Sequence, residues 1–512
     1  MIYHGVILTD VMFRLRSRPL GAYRIANVLR EAGYNILVID MYSTLSFDEL
    51  KALIDKCVTK DTLFFGYSST FFTADPHSDR LVGDHPMELA FPTSREYFIE
   101  TNQYAKSLNP NIKILYGGAS VHWYIKTTQN ESRDLLVDYL VDGYSESMIL
   151  DVVNNIRDNL PQRTSKYVKN AGYIDYDKEA KDYDFRHHRN QWHESDNILQ
   201  NEPLPIEIAR GCVFKCKFCS FPLLGKKKND MSYIRTEDLI LEEILSNYDK
   251  YKTRHYMILD DTFNERTDKM EMLCRIRDKA KLDLQFGSYI RLDLVAKKPE
   301  QIPLLKDLNL VFQNYGIESL TRKAAAAIGK GCDPEELIDT MYKVHDAMNG
   351  KVSMEAGHII GLPHETPETL EVSVARLAET PVDIINFQPL NLVQSAYGKS
   401  EIWSNPEFYG YTVVDDPYIP GKQTWKNEIW DQETCRQLAW DYEKRYVESG
   451  RMRLGGTVGA FGMINLGYDF LETTKMTIKE FRSEKMVEET KKRYGAHRKA
   501  YFDSLNEYLD KN

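Results

Sequence analysis

The sequence predicts an α/β protein in three parts: an N-terminal parallel sheet wrapped by helices, a partial barrel of six strand–helix units, and a mixed, mostly helical C-terminal part. Three observations predict it. Short apolar runs alternate with helical periodicity over residues 1–160, a polar stretch without sustained period covers 161–203, and a second alternating series fills 204–395. Residues 396–512 form the third part, rich in Trp, Tyr and charge.

In the first part, "YHGVILTD" reads as a strand and "RPLGAYRIANVLREAGY" as a helix with Ile25, Val28, Leu29 and Ala32 on one face, ended by Gly33. The strand-like runs "NILVID", "TLFFGYSS", "IKILYGGAS" and "VDYLVDG" follow. Ligands of parallel sheets bind at the carboxyl ends of the strands. That rule marks Thr9 and Asp10, Ser68 to Thr70, Gly117 to Ser120, and Gly143 to Glu146. The stretch 161–203 reads as a connector over the surface between domains.

From Pro205 the runs "PIEIARG", "HYMILDD", "DLQFGSY", "LVFQNYG", "VSMEAGHIIG" and "VDIINFQPL" read as strands, with helical patterns at 236–248, 267–281, 334–348 and 367–378. Six such units are too few for a closed eight-stranded barrel and suit an open one whose active face lies at the strand exits. In the C-terminal part, "LGGTVGAFGMINLGY" is Gly-rich and a charged helical pattern follows whose acidic and basic residues suit a solvated face. Tyr397, Trp403 and Tyr468 there read as core or domain contacts, and no catalytic role is assigned to them.

With 512 residues and 42 % apolar content the chain can bury a large core. A formal charge of −10 argues against a generalised phosphate-binding surface, so nucleic acid is not indicated. Met1 runs directly into "IYHGVILTD" without a basic segment and apolar core, and there is no run near the length of a membrane span. These features predict a soluble cytoplasmic protein.

Seven cysteines, four of them scattered (Cys57, Cys274, Cys332, Cys435), do not make a disulfide framework. The other three, Cys212, Cys216 and Cys219 in "IEIARGCVFKCKFCSF", follow the first barrel strand within one short loop and point to a metal centre. A structural zinc takes four ligands, and no second C-x-x-C exists to complete one. Iron–sulfur cubanes also usually take four thiolates. Held by three, a cubane keeps one iron open to a substrate or cofactor. A zinc loop completed by a remote histidine and three packing cysteines are the alternatives.

The spacing C-x₃-C-x₂-C, with Phe218 before the last cysteine and a position after the first strand of a partial barrel, resembles the radical S-adenosylmethionine (radical SAM) superfamily. The resemblance implies a [4Fe–4S] cluster on Cys212, Cys216 and Cys219 whose open iron binds S-adenosylmethionine. One electron then cleaves that molecule to methionine and a 5′-deoxyadenosyl radical. Phe218 matches the aromatic near the adenine, and Asp260 and Asp261 in "LDDTF" match the motif that helps hold the methionine end. Arg291 in "YIRLD" stands where the cofactor carboxylate is met, and Glu318 in "YGIESLT" near the ribose. Ile360, in "HIIGLPHET", belongs to the segment on the adenine side. A lone aspartate pair or arginine after a strand is commonly a cap or an ion pair, but five such segments in family order carry weight. Two departures bear on the detail of the pocket: Leu320 follows "ES" in place of a small residue, and "PHET" replaces the commoner "PGET".

One class of that superfamily places a cobalamin-binding Rossmann-like domain before the barrel. Residues 1–160 resemble it through "RPLGAYRIANVLREAGYNILVID", "FFGYSST", "ILYGGAS" and "VDYLVDGYSES". The resemblance implies cobalamin against the strand exits, near Ser68, Ser69, Gly117, Gly118 and Ser120. No D-x-H-x-x-G is present to supply a histidine to cobalt. The expected activity is a cobalamin-dependent methyl transfer to an unactivated carbon of a small molecule, with an external electron donor such as a flavodoxin or ferredoxin. The alternatives are a radical rearrangement, cyclisation or oxidation without methyl transfer, and a zinc-binding protein without turnover.

Overall fold

Runs that are apolar on both faces make the first sheet. In the computed structural model, which describes residues 2–10, 17–69, 95–118, 121, 134–174, 184–221, 229, 231–392, 394–395, 398–415, 423–454 and 459–512, five of them pair in parallel. These are β1 (Gly5–Leu8), β2 (Ile36–Ile39), β3 (Phe64–Ser68), β4 (Lys113–Gly118) and β5 (Tyr139–Asp142). Val6 and Leu8 face one core and Ile7 the other, as expected of a strand covered by helices on both sides. The helix α1 (Leu20–Glu31) starts after Pro19 and stops before Gly33, whose φ of +89° suits glycine.

With two later strands, β6 (Lys166–Val168) and β7 (Ala171–Ile174), the strand order is β2-β1-β3-β4-β5-β7-β6. Its first five strands follow the 2-1-3-4-5 winding, whose switch point lies between β1 and β3, where a crevice opens at the carboxyl ends. The sheet does not stop at residue 160. The hairpin β6 (Lys166–Val168) and β7 (Ala171–Ile174) lies within the stretch that reads as connector, and β7 pairs in parallel with β5. A three-residue edge strand and its "AGYI" partner are too short to show alternation, so tertiary pairing with β5 decides their structure.

The second sheet has six parallel strands in simple sequential order: β8 (Leu204–Ile206), β9 (His255–Ile258), β10 (Gln285–Ile290), β11 (Leu310–Glu318), β12 (Ser353–Ile360) and β13 (Ile384–Pro389). The predicted helices form between them as Glu237–Tyr251, Thr267–Ala280, Pro334–Ala347 and Pro367–Ala378. Sequential parallel neighbours joined by helices give the partial barrel, with all strand exits at one end.

The C-terminal part closes both units. Phe461 packs on Met257 and Phe312 at the barrel strands, in the space left by Gly287. The last helix, Glu484–Lys511, returns to the first sheet: Tyr494, Tyr501, Leu505 and Leu509 share a core with Leu37 and Ile39, and the Asp40 amide donates to the Tyr501 hydroxyl at 2.9 Å. No helix among the described residues is long and apolar enough to cross a membrane.

Candidate active site

The cysteine loop leaves β8 at Ile206 and is held by a buried network around Asp260 of "LDDTF". Asp260, at the exit of β9, accepts from the amides of Ile208 at 2.8 Å and Ala209 at 2.9 Å through one oxygen, and pairs with Lys269 at 2.9 Å through the other. Lys269 also pairs with Glu265 at 2.7 Å, and all three side chains are buried. One oxygen of Asp260 is thus committed to the start of the loop and the other to Lys269, so its use in this structure is to position the loop.

The loop itself is tight. The Cys219 amide donates to the Cys216 carbonyl at 3.0 Å, and the Lys217 amide to the Ile328 carbonyl at 3.0 Å. Opposite lies Gly329 at φ +82°, where an added Cβ would sit 3.8 Å from the Cys216 Cα. The Cys212 sulfur lies 3.4 Å from the Thr262 hydroxyl, and Arg291 donates to the Cys216 sulfur at 3.5 Å while its guanidinium covers the Phe214 ring at 4.0 Å. Burial raises Cys212 and pushes Cys219 up to about 11.

Such thiols become thiolates on binding a cationic centre. Among the described residues no three His, Cys, Asp or Glu side chains converge on one ion-sized point. Three thiols in one short loop fit a cubane, which binds each thiolate at a separate corner.

The other predicted residues gather at the same strand exits. Asp261 sits beside the loop, and burial, followed by the charges of Glu207 and Asp260, pushes its carboxyl up to about 7. Phe218 is half-buried against the main core. Arg291 is braced by Asp293 at 2.6 Å. Glu318 adopts φ +65° and pairs with Lys330 at 2.9 Å. Ile360 does not join them: it is fully buried at the end of β12 on the same face as Met354 and Ala356, in the outer core, because side chains alternate along a strand. Among residues not singled out from sequence, Thr262, Gly329, Lys330 and Glu365 belong to this neighbourhood.

Glu365 accepts from the Gly361 amide at 2.8 Å, closing the "GLPHET" turn, and burial pushes its carboxyl up to about 7. A carboxyl raised in the folded state binds its proton more tightly there, so its stabilising contribution is present below about pH 4.5 and lost as pH rises towards 7. Glu365→Gln is expected to flatten that part of the stability profile. Denaturant midpoints at pH 5.5 and pH 8 for both proteins check it: the variant should gain on the wild type at pH 8.

Between the two sheets lies a cavity of about 500 Å³. Ser68, Gly117 and Gly118 line it from β3 and β4, Leu20 and Gly21 from α1, and Tyr144 to Glu146 from the loop after β5. Glu207, Arg210, Phe221, Asp261 and Tyr289 line it from the barrel, so the segment just after Cys219 reaches it. Ser69 is fully buried beside it, its amide donating to the Gly117 carbonyl at 2.8 Å. Ser120, Thr70 and Tyr397 lie outside the described residues. Among the described residues, no histidine lines this cavity.

A buried charge chain crosses the two units at its floor. Glu207 pairs with Arg24 of α1 at 2.5 Å and with Arg210 at 2.8 Å, and Arg210 pairs with Glu146 at 2.8 Å. Burial opposes the charge on Glu207, but Arg210 and Arg24 hold its carboxyl below the usual range.

Residues 206–377 match the Radical SAM superfamily. The chain carries a radical SAM domain. The chain is also 24 % identical over 408 residues to an uncharacterized methyltransferase of Pyrococcus horikoshii, covering 75 % of this chain and 77 % of that protein. It is 24 % identical over 304 residues to the anaerobic magnesium-protoporphyrin IX monomethyl ester cyclase of Rubrivivax gelatinosus, covering 56 % of this chain and 52 % of that one.

Two solved structures share the architecture. The radical SAM methyltransferase TsrM of Kitasatospora setae, with cobalamin and a [4Fe–4S] cluster bound, has a TM-score of 0.60 at 13 % identity and covers 98 % of this chain and 99 % of its own. The cobalamin-dependent radical enzyme OxsB, with aqua-cobalamin and S-adenosylmethionine bound, has a TM-score of 0.55 at 13 % identity, covering 99 % and 81 %. The radical SAM domain therefore sits in the two-sheet architecture that the sequence predicts, and a [4Fe–4S] cluster and S-adenosylmethionine are the cofactors its family implies.

Proposed function

We propose that this radical SAM enzyme is a cobalamin-dependent methyltransferase acting on an unactivated carbon of a small molecule. The observation that carries the proposal is the shared cavity: the strand exits of the first sheet and the end of the cysteine loop open into one space. When bound, the cluster supplies the electron that cleaves S-adenosylmethionine, and cobalamin supplies a methyl carrier.

Cys212, Cys216 and Cys219 hold the cluster in this reading. Asp260 and Lys269 fix the backbone that presents them. Arg291 sets a cation beside Cys216, and with Phe218, Asp261 and Glu318 it forms the surroundings of S-adenosylmethionine. Ser68, Gly117 and Gly118 form the cobalamin cradle with Ser69 behind them. The cradle fits a ligand that approaches closely: Gly118 has φ +104°, and among the described residues a Cβ on Gly21 would meet only the Ser68 hydroxyl, at 4.0 Å, so it would point into the cavity.

Gly21→Leu fills that space while improving helix propensity. The expected outcome is a folded protein that retains its iron and loses cobalamin affinity about tenfold or more. Anaerobic reconstitution with hydroxocobalamin, desalting and quantification measure it. Wild type should hold about one cobalamin and about four irons per chain; a wild type that binds no cobalamin overturns the proposal.

The likeness to the cyclase favours a second reading, a radical reaction without methyl transfer. Turnover with methyl-labelled S-adenosylmethionine separates the two: label in a product supports methylation, and 5′-deoxyadenosine with an unlabelled product supports the alternative.

A further inference from the structure

An electron bound for a cluster enters best through the thinnest wall around it, because transfer between redox centres slows steeply with distance. The outer face of the cysteine loop is such a wall. Lys215 is exposed between Cys212 and Cys216. Gly329, also exposed, lies so close that a Cβ on it would stand 3.7 Å from the Lys215 carbonyl and 3.8 Å from the Cys216 Cα. About one residue of backbone therefore separates solvent from the loop that presents the thiols.

The C-terminal part, which lies outside the matched radical SAM domain, meets the loop at this face. The Ile402 amide donates to the Lys217 carbonyl at 3.0 Å, and Glu401 pairs with Lys217 at 2.5 Å while accepting from the Tyr409 hydroxyl at 2.5 Å. These contacts brace the turn Pro406–Tyr409, which holds the Phe408 ring 82 % exposed. A single exposed apolar side chain needs no explanation, but cations surround this one. Lys215, Lys297 and Lys323 are exposed and make no ion pair among the described residues. Lys323 and Arg322 stand on the short helix Arg322–Ala327 that leads into Gly329, Arg322 meeting Asp333 only at 3.4 Å with both groups exposed, and Lys297 is near Cys332. A carboxylate of opposite sign, Glu407 beside Phe408, is outnumbered by them. The chain as a whole carries −10, so an acidic partner is repelled by most of the surface and drawn to this patch.

We infer that the outer face of the cysteine loop, with Lys215, Lys323 and Phe408, docks an acidic, low-potential one-electron carrier protein of the ferredoxin kind. The cations steer the carrier and the aromatic ring anchors it. Electron-transfer complexes use small interfaces, so a patch of this size suffices. The step moves one electron and no atom: the carrier is oxidised by one and the cluster reduced by one. The inference rests on the radical SAM domain and not on cobalamin or methyl transfer.

The test uses the full-length protein and, as probe, a plant-type [2Fe–2S] ferredoxin. Calorimetric titration with the oxidised ferredoxin reads docking without turnover. Wild type should bind at about 50 mM salt and about tenfold more weakly at about 500 mM. Lys215→Glu combined with Lys323→Glu should weaken binding about tenfold and remove most of the salt dependence, and Phe408→Ala, outside the loop, should weaken it about threefold to tenfold. Lys60→Glu combined with Lys281→Glu makes the same charge change ahead of β3 and β10, at the far ends of the strands, and should bind within about twofold of wild type. Cleavage of S-adenosylmethionine driven by reduced ferredoxin should fall in step with binding. Cleavage driven by dithionite and methyl viologen, which need no docking, should stay at the wild-type rate with iron content unchanged. A wild type that does not bind ferredoxin, an equal loss in the Lys60 and Lys281 control, or unchanged binding in both the lysine and the Phe408 variants would overturn the inference. Absence of mediator-driven cleavage in the wild type would instead contradict the cluster assignment, and the inference would fall with it.

Discussion

Replacing Cys212, Cys216 or Cys219 singly by alanine is expected to remove essentially all bound iron and all cleavage of S-adenosylmethionine. Each thiolate serves one corner of the proposed cluster, and two remaining thiolates are too few to retain it. The protein should still fold, because the loop is held from elsewhere: Asp260 grips the Ile208 and Ala209 amides and the Lys217 amide reaches the Ile328 carbonyl. Iron analysis, the visible spectrum of the brown protein and circular dichroism check the three parts of this expectation. Alanine at Cys57 or Cys435, both buried packing residues away from the loop, should leave iron content at the wild-type level. Full iron and full turnover in any single loop variant would contradict the assignment.

The second large effect is expected from Glu207→Ala. The change leaves the Arg24 and Arg210 guanidiniums buried without the carboxylate between them, although Arg210 keeps Glu146. Breaking a buried ion pair from one side costs about 3–5 kcal/mol, since the partner charge stays buried without compensation. Arg24 belongs to α1 and Arg210 to the cysteine loop, so the loss falls on the junction of the two sheets as well as on total stability. The denaturant midpoint should drop, and cobalamin retention should fall with it. Exchanging Arg24, Glu146, Glu207 and Arg210 together for apolar residues of similar volume should recover much of the stability but not the cobalamin, because the cavity floor changes. A single variant that loses less than about 1 kcal/mol would mean that the chain contributes little to joining the units.

Much of this was legible from the chain. Strands of the first sheet are short apolar runs such as "ILVI", buried on both faces, and the barrel helices carry clear periodicity. The three cysteines stand out because their spacing in one loop has few chemical uses. The hairpin at 166–174 was not legible, since three or four residues show no period and the pairing partner β5 is remote in sequence.

The second role of Asp260 was also hidden. Its motif points to a ligand contact, but its oxygens meet backbone amides and Lys269, and those partners are set by the fold. Lys269, Glu265 and Gly329 give no local signal at all, because each acts through a contact made by strand and loop packing. The contact of Glu355 with Asn386 could have been seen in part. "SMEAGHII" and "IINFQP" put Glu355 and Asn386 on the face opposite Met354 and Phe387, but only the pairing of β12 with β13, which sets them diagonally across the two strands, brings them into contact.

The account's central claim is a cluster held at three corners with one iron open to S-adenosylmethionine. Electron paramagnetic resonance of the anaerobically reconstituted, dithionite-reduced protein tests it most directly. The account predicts a reduced [4Fe–4S] signal whose g-values shift when S-adenosylmethionine is added. A signal unchanged by S-adenosylmethionine at saturating concentration, or a colourless protein holding about one zinc per chain, would contradict it.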